Sequence, residues 1–514
     1  MEGHLQGGVA VLDFGGQYAH LICRRVRSLG VYAALLPHET KYADLKKGGV
    51  AGIIFSGGPA SVYSAGAPSA DPEIFRGDLP LLGICYGYQL IVKANGGEVA
   101  RAERREYGKT RVTVIRGGGL LNSMEGESLG CWMSHSDSAT RIPGTLEVLA
   151  SSDSSPYAAV RLAGASQYGV QFHPEVSHTE NGQAMLSNFL FGVCRAEKNW
   201  SMKEFFENSV RTLSNLEGSV LCAVSGGVDS SVTAAMLNRA VGARLVCVFI
   251  DTGLLRRGEG ERVARFLGSE LGVHVETVDA SDRFLEVLKG VSDPEEKRRV
   301  VGKTFADVFE DFARSRGPFR HLAQGTLYPD VVESGRATGP ASVIKTHHNV
   351  GGIPGDLSMP LVEPLRELYK DEVRELGALL GLPKEVVERH PFPGPGLAVR
   401  VVGEVTEEKL GICRKASEIV EEQLRREGLY HKVWQAFAYV GDDEVTGVLG
   451  DERRLGRQVT VKIVESVDAM TADWSRLDLD VLERISNRIT NEVAGVVAVS
   501  YAISSKPPAT IEPQ

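Results

Sequence analysis

The chain has 514 residues, too many for one hydrophobic core, so about three domains are expected. Apolar residues make up 43% and charged residues 24%, a composition that excludes disordered and fibrous chains. A formal net charge of −9 argues against a nucleic-acid partner, and no apolar run reaches the ~18 residues that would cross a membrane. The start, Met1-Glu2-Gly3-His4, has neither the basic region nor the apolar core of a signal peptide. Seven cysteines, at 23, 85, 131, 194, 222, 247 and 413, are odd in number and lack zinc-ligand spacing. They fit reduced thiols in a cytoplasmic enzyme.

Three apolar runs open the chain. Residues 9–14 lead into Gly15-Gly16-Gln17, residues 51–55 into Ser56-Gly57-Gly58-Pro59, and residues 79–84 end on Gly83-Ile84-Cys85-Tyr86-Gly87. Helical patterns separate them, so a parallel α/β sheet is expected. Gly-x-Cys-x-Gly is the thiol form of the nucleophile elbow, a sharp turn whose neighbours must be glycine. A helix starting near Tyr86 points its N-terminus at Cys85 and favours the thiolate. A cysteine can also be a small buried hydrophobe; the two glycines and the strand end favour the nucleophile. Such a nucleophile needs a base and a group to orient it. Gln171-Phe172-His173-Pro174-Glu175 follows an apolar strand over 168–172. In extended chain, residues two apart share a side, so His173 and Glu175 can face Cys85 together.

Residues 8–197 resemble the class I, triad-type glutamine amidotransferases, which have a flavodoxin-like fold. The resemblance implies that Cys85 attacks the side-chain amide of glutamine, that His173 carries protons and that Glu175 holds the imidazole. Backbone amides near Gly58 and Tyr86 would stabilise the oxyanion. Gln89 and Ser134-His135-Ser136-Asp137 match positions that surround glutamine in the family. Methionine is common there where Tyr88 stands.

A polar stretch over 194–200 marks a boundary, and Trp200, Phe205, Phe206 and Val210 suit the buried side of an entry helix. A short apolar strand over 220–224 then runs into Ser225-Gly226-Gly227-Val228-Asp229-Ser230-Ser231, and a helical pattern follows. Strand, glycine turn and helix form a phosphate-binding arrangement: the glycines admit the anion and the first helical amides point at it. Ser230 and Ser231 add hydroxyls, and Asp229 is a candidate Mg2+ ligand. The lysine of the Walker loop is missing. The loop resembles that of the N-type ATP pyrophosphatases, a Rossmann-like fold that grips the pyrophosphate of ATP. An ordinary strand-to-helix turn is the alternative.

Residues 245–250 read as a second strand ending at Asp251-Thr252-Gly253-Leu254, which the pyrophosphatase resemblance implies is an adenosine neighbourhood and which the residues alone read equally as a plain strand end. The next helix starts at Asp293 with Pro294, Glu295 and Glu296, a capping arrangement, and stops at Gly317-Pro318. Its run Lys297-Arg298-Arg299 reads by itself as a solvated face. Farther on, Asp330 and Glu333 lie one helical turn apart, as magnesium-side carboxylates or as two exposed acids. The glycine-rich stretch 334–356 reads as a lid that brings Lys345, His347 and His348 to the nucleotides.

The run His390-Pro391-Phe392-Pro393-Gly394-Pro395-Gly396 excludes helix and interior strand. Beyond it, strands are expected over 399–403, 459–464 and 496–503, and helices over 406–428 and 474–493, a small α+β domain. The close, Lys506-Pro507-Pro508-Ala509-Thr510-Ile511-Glu512-Pro513-Gln514, sets a lysine and a glutamate in a rigid proline turn. These features occur in this order in the glutamine-hydrolysing GMP synthetase family, which the chain resembles from about residue 8 to 512. The likeness implies an amidotransferase over 1–199, an ATP pyrophosphatase over 200–400 and a C-terminal domain over 401–514 that forms a homodimer. It also implies that xanthosine monophosphate (XMP) meets Arg298, Lys506 and Glu512. ATP and glutamine are the other substrates, Mg2+ accompanies ATP, and no organic cofactor is expected. Family members commonly end Ile-Glu-Trp-Glu, where this chain has Pro513-Gln514 after Glu512.

Rival readings fit less well. An asparagine synthetase of the usual kind needs a cysteine after the first methionine, where Glu2 stands. Glutamine-dependent NAD synthetases carry a nitrilase-like domain in place of this elbow. A non-catalytic nucleotide-binding regulator would not need both complete motifs.

Overall fold

In the computed structural model, residues 5–335, 359–449, 452–466 and 471–514 are described. They form two compact units, 1–201 and 202–514. The first is built on strands β1 (Val9–Asp13), β2 (Ala33–Pro37), β3 (Gly52–Phe55), β4 (Leu81–Ile84), β5 (Glu98–Val114), β6 (Ser128–Arg141), β7 (Leu146–Ser152), β8 (Ala159–Leu162) and β9 (Gln167–Val170). Their order in one sheet is β2-β1-β3-β4-β9-β8-β7-β5-β6. The first five run parallel, the flavodoxin-like order expected from the sequence. β8, β7, β5 and β6 extend the sheet with antiparallel pairing. β1, β3 and β4 are buried along their whole length, because a parallel sheet is covered on both faces and its strands read as continuous apolar runs.

The second unit contains a five-stranded parallel sheet of β10 (Val220–Ala223), β11 (Leu245–Asp251), β12 (Val275–Asp279), β13 (His321–Ala323) and β14 (Leu361–Val362). Its order, β12-β11-β10-β13-β14, is the Rossmann order 3-2-1-4-5. In such sheets the ligand crevice opens where the winding reverses, here between β10 and β13. The helix after β10 opens within the Ser225–Ser231 stretch, at Val228, so topology sets that loop and first turn beside the crevice.

The C-terminal part is a sheet of β15 (Gln435–Leu449), β16 (Glu452–Glu465), β17 (Asp473–Trp474) and β18 (Val496–Tyr501), with two helices, Glu407–Arg426 and Leu479–Glu492. Two expectations are corrected. Residues 399–403 are not a strand: Gly396–Arg400 is a 3-10 turn, and only Val401 makes a bridge, to Val440. Gly396 there has φ +62 and no room for a Cβ, which would lie 2.4 Å from the Leu254 carbonyl oxygen. The expected helix over 474–493 starts later, at Leu479 with Asp478 as its cap, because Asp473–Trp474 pairs with β16 instead. A single apolar cluster includes Leu221, Val248, Ile250 and Phe309 together with Ala398, Val401, Ile412, Val461 and Ile485.

Candidate functional site

The first constellation lies at the carboxyl ends of β3, β4 and β9. Cys85 follows β4 at φ 52, ψ −102 and caps helix α1 (Tyr86–Ala94). A non-glycine residue in this region stores about 1–3 kcal/mol of strain, typical of a functional turn. Both flanking glycines are required sterically. A Cβ on Gly83 would lie 2.5 Å from the Gly87 carbonyl, and one on Gly87 would lie 2.4 Å from Phe55 Cβ. Tyr86 is the first helical residue, so its amide is among the donors a helix leaves unmatched.

His173 and Glu175 are brought together by a turn, not by the extended segment expected. β9 ends at Val170, and His173 Nδ1 lies 2.7 Å from Glu175 Oε1 across Pro174. Cys85, His173 and Glu175 are 5%, 4% and 0% exposed. Gly57 lies between the other groups: a Cβ there would be 3.1 Å from His173 Cε1 and 3.7 Å from Cys85 Cβ. Gly58 is pressed against Phe14 and Tyr86. Burial opposes the charged imidazole, but Glu175 and the hydrogen bond with Cys85 outweigh it and hold the His173 pKa well above the usual histidine value. Arg25 Nε donates to the Glu175 carbonyl at 3.0 Å and fixes the turn from outside.

Glu175→Gln removes the charge that raises His173. Its imidazolium should therefore lose its proton at lower pH, and because His173 acts as the base, the acid limb of the glutaminase pH profile should move down, with a rate loss of about 100-fold or more. A pH–rate series on the variant checks this.

Gln89 is buried and donates to the Asp137 carbonyl at 2.8 Å and to Gln171 Oε1 at 3.4 Å. Gln171 Nε2 in turn lies 3.7 Å from Cys85 Sγ, the same distance as the Ser134 carbonyl. Ser134 and Asp137 thus belong to the wall around the thiol, Asp137 anchored by Ser61 and Tyr63. Sequence reasoning passed over Gln171, although it adjoins the histidine motif.

The second constellation is the loop before helix α2 (Val228–Val241). Gly226 has φ +76 and Gly227 caps the helix. The loop is tied to itself: the Ser225 amide donates to Ser230 Oγ at 3.2 Å, Ser230 Oγ donates to the Gly227 carbonyl at 3.1 Å, and Ser231 is buried. Two cations flank it that local sequence did not signal. Lys370, at the start of a helix about 140 residues away, donates to both Asp229 oxygens at 2.6 and 2.5 Å. Arg389 donates to the Gly226 carbonyl at 3.0 Å and to buried Glu259 at 2.5 Å. Among the described residues no three acids, histidines or cysteines cluster as a metal site. A magnesium ion held by one carboxylate and substrate phosphates needs no such cluster, and Asp229 fits that arrangement.

Helix α3 (Pro294–Arg316) starts as expected, with Asp293 accepting from the Glu296 amide at 2.8 Å. Arg298 donates to the Gln514 main-chain oxygen at 2.7 Å. Its neighbour Lys297 is buried, donates to the Val401 carbonyl at 2.6 Å and to Gln514 Oε1 at 2.5 Å, and is pulled down to about 8 by burial and then by Lys409. Glu512 is gripped by Arg400 Nε and Nη2 at 3.0 and 2.9 Å and by Gln435 at 2.6 Å. Lys506 pairs through its backbone with Ala472. The tail is therefore a docked segment, held at Gln514 by Arg298 and at Glu512 by Arg400 and Gln435. Asp330 caps its own helix α4 (Tyr328–Gly335) by accepting from the Leu327 amide at 3.1 Å. The Glu333 side chain, Lys345, His347 and His348 lie outside the described residues.

Comparisons with known proteins follow the same division. Residues 10–193 match the family described as class-I glutamine amidotransferase, residues 200–422 that described as NAD synthase, and residues 422–513 the GMP synthase C-terminal domain. The chain is an amidotransferase fused to a synthetase of ATP-pyrophosphatase type. It is 52% identical to the GMP synthase (glutamine-hydrolyzing) of Aquifex aeolicus and 53% identical to that of Pyrobaculum aerophilum, in each case over 98% of this chain and 99% of the relative. It belongs to the glutamine-hydrolysing GMP synthase family. Among the described residues no helix is long and apolar enough to cross a membrane.

Proposed function

We propose that the chain makes GMP from XMP, ATP and glutamine, with nitrogen released in residues 1–199, the acceptor primed in 200–400, and 401–514 completing the acceptor site and joining two copies. The observation that carries this reading is full-length similarity to GMP synthases in a chain that holds both a cysteine elbow and a switch-point phosphate loop.

His173 takes the Cys85 proton as sulfur attacks the glutamine amide carbon, and amides near Gly58 and Tyr86 hold the oxyanion. His173 then returns the proton to the leaving nitrogen, and water hydrolyses the thioester to glutamate. A purine carbonyl oxygen is a poor leaving group, so the XMP C2 oxygen first attacks the α-phosphorus of ATP and expels pyrophosphate. The loop amides, Ser230 and Lys370 receive that pyrophosphate. Mg2+ bound with ATP at Asp229 would neutralise charge building on the phosphates. Ammonia adds at C2 and AMP departs, which leaves GMP. Arg298, Lys506 and Glu512 orient XMP, and the lid residues Lys345, His347 and His348, with Asp330 and Glu333, close over the nucleotides. The C-terminal contact yields a cytoplasmic homodimer.

The test supplies XMP, IMP, aspartate or deamido-NAD with ATP and ammonia. AMP and pyrophosphate should form with XMP alone; ADP formation, or equal rates with another acceptor, would overturn the assignment.

A further inference from the structure

Arg400 has no part in the motifs read from the sequence, yet it is among the largest fully buried side chains, 1% exposed. It stands at the end of the 3-10 turn that follows the proline loop. Its guanidinium lies 4.1 Å from the Phe437 ring centroid and 5.0 Å from that of Phe392. Two of its nitrogens hold the two oxygens of Glu512 in a bidentate grip. Replacing a buried ion pair with apolar side chains of similar volume is often neutral or stabilising, so fold stability alone does not account for this one. Arg400 Nη1 is moreover buried with no hydrogen-bond partner among the described residues.

We propose that Arg400 is a positioning residue for the acceptor nucleotide, holding the Glu512 carboxylate in one rotamer and Phe392 against its own guanidinium. This rests on the reading that Glu512 meets XMP. A carboxylate is an acceptor only, and the Arg400 and Gln435 bonds leave one free lone pair, on Oε2, so the fixed group offers a nucleotide N–H or hydroxyl a set direction. The same Phe392 ring lies 4.6 Å from the Arg256 guanidinium. The Arg256 amide donates to Glu259, which Arg389 joins to Gly226 of the phosphate loop. One aromatic ring is therefore shared by the arginine that fixes the tail and by a contact run that ends at the ATP loop.

The experiment uses the full chain and ammonia-driven synthesis, with KM for XMP and for ATP measured in Arg400→Lys, Arg400→Gln, Glu512→Gln and the Arg400→Gln/Glu512→Gln double variant. Lysine keeps the charge but loses the fork. Arg400→Gln should raise the XMP KM by ~30-fold or more, as for one half of a buried charge pair, with ATP KM within about twofold. Lysine should recover part of that loss, and the double variant should be little worse than either single one, because the residues act as one unit. If Glu512→Gln raises the XMP KM while both Arg400 variants leave it unchanged, the positioning role is refuted and the Glu512 contact stands. If Glu512→Gln leaves the XMP KM unchanged, that contact fails and the proposal with it. Equal rises in both KM values for Arg400→Lys would mark a structural residue and also overturn the proposal.

Discussion

Cys85→Ala is expected to erase glutamine-driven GMP synthesis, by on the order of 10⁴-fold or more, while synthesis from free ammonia stays within about twofold of the parent. The expectation follows from how little else the sulfur does. Apart from the hydrogen bond with His173, which belongs to the same reaction, its contacts are the Ser134 carbonyl and Gln171, both at 3.7 Å and weak, so little of the fold depends on it. Alanine keeps the Cβ, hence the strain at φ 52 is the same in both proteins. The loop from Ser225 to Ser231 belongs to the other compact unit, so adenylation keeps its own residues. Parallel assays with glutamine and with ammonium chloride check this. A comparable loss in both would mean that Cys85 supports the fold or the synthetase step and is not the nucleophile.

Asp229→Ala should abolish synthesis from either nitrogen source, with a loss of about 10²–10³-fold and basal glutaminase retained. Asp229 stands in the first turn of its helix with Lys370 on both oxygens. The pair is partly exposed, so its loss should cost the fold about 1 kcal/mol or less and move Tm by only a few degrees. Catalytically the change is larger. The carboxylate sets where Lys370 points and is the acid beside the expected phosphates. Asp229→Asn, of nearly equal shape, separates charge from packing and should be almost as impaired. Ammonia-driven activity within a few-fold of the parent would remove Asp229 from the adenylation step.

Much of this was legible in the sequence because the decisive signals are local. Gly83, Cys85 and Gly87 sit within five residues, and the turn geometry that requires them is the one found. The strand before Ser225 and the helix after it carried equally local patterns, as did Asp293 at its cap. What escaped was nonlocal. Lys370 reaches Asp229 from a helix that follows the whole sheet, and Arg400 reaches Glu512 across 112 positions. Neither has a neighbourhood that marks it: one begins a helix, the other ends a short turn. The strand predicted over 399–403 failed for a related reason. Apolar β-branched residues suggested a ladder, but Gly396 at φ +62 and its packing against Leu254 bend the chain first. His173 and Glu175 were paired correctly for a reason the structure replaces, since a proline turn rather than a pleat brings them together.

The apolar cluster that draws on both Phe309 and Ile485 makes the modularity of this chain uneven. A gene severed near codon 201 would encode two pieces, each with its own dry interior. One severed near codon 400 would leave raw, water-averse flanks on both products, so the two stretches on either side of that point can be exchanged or inherited only as a pair.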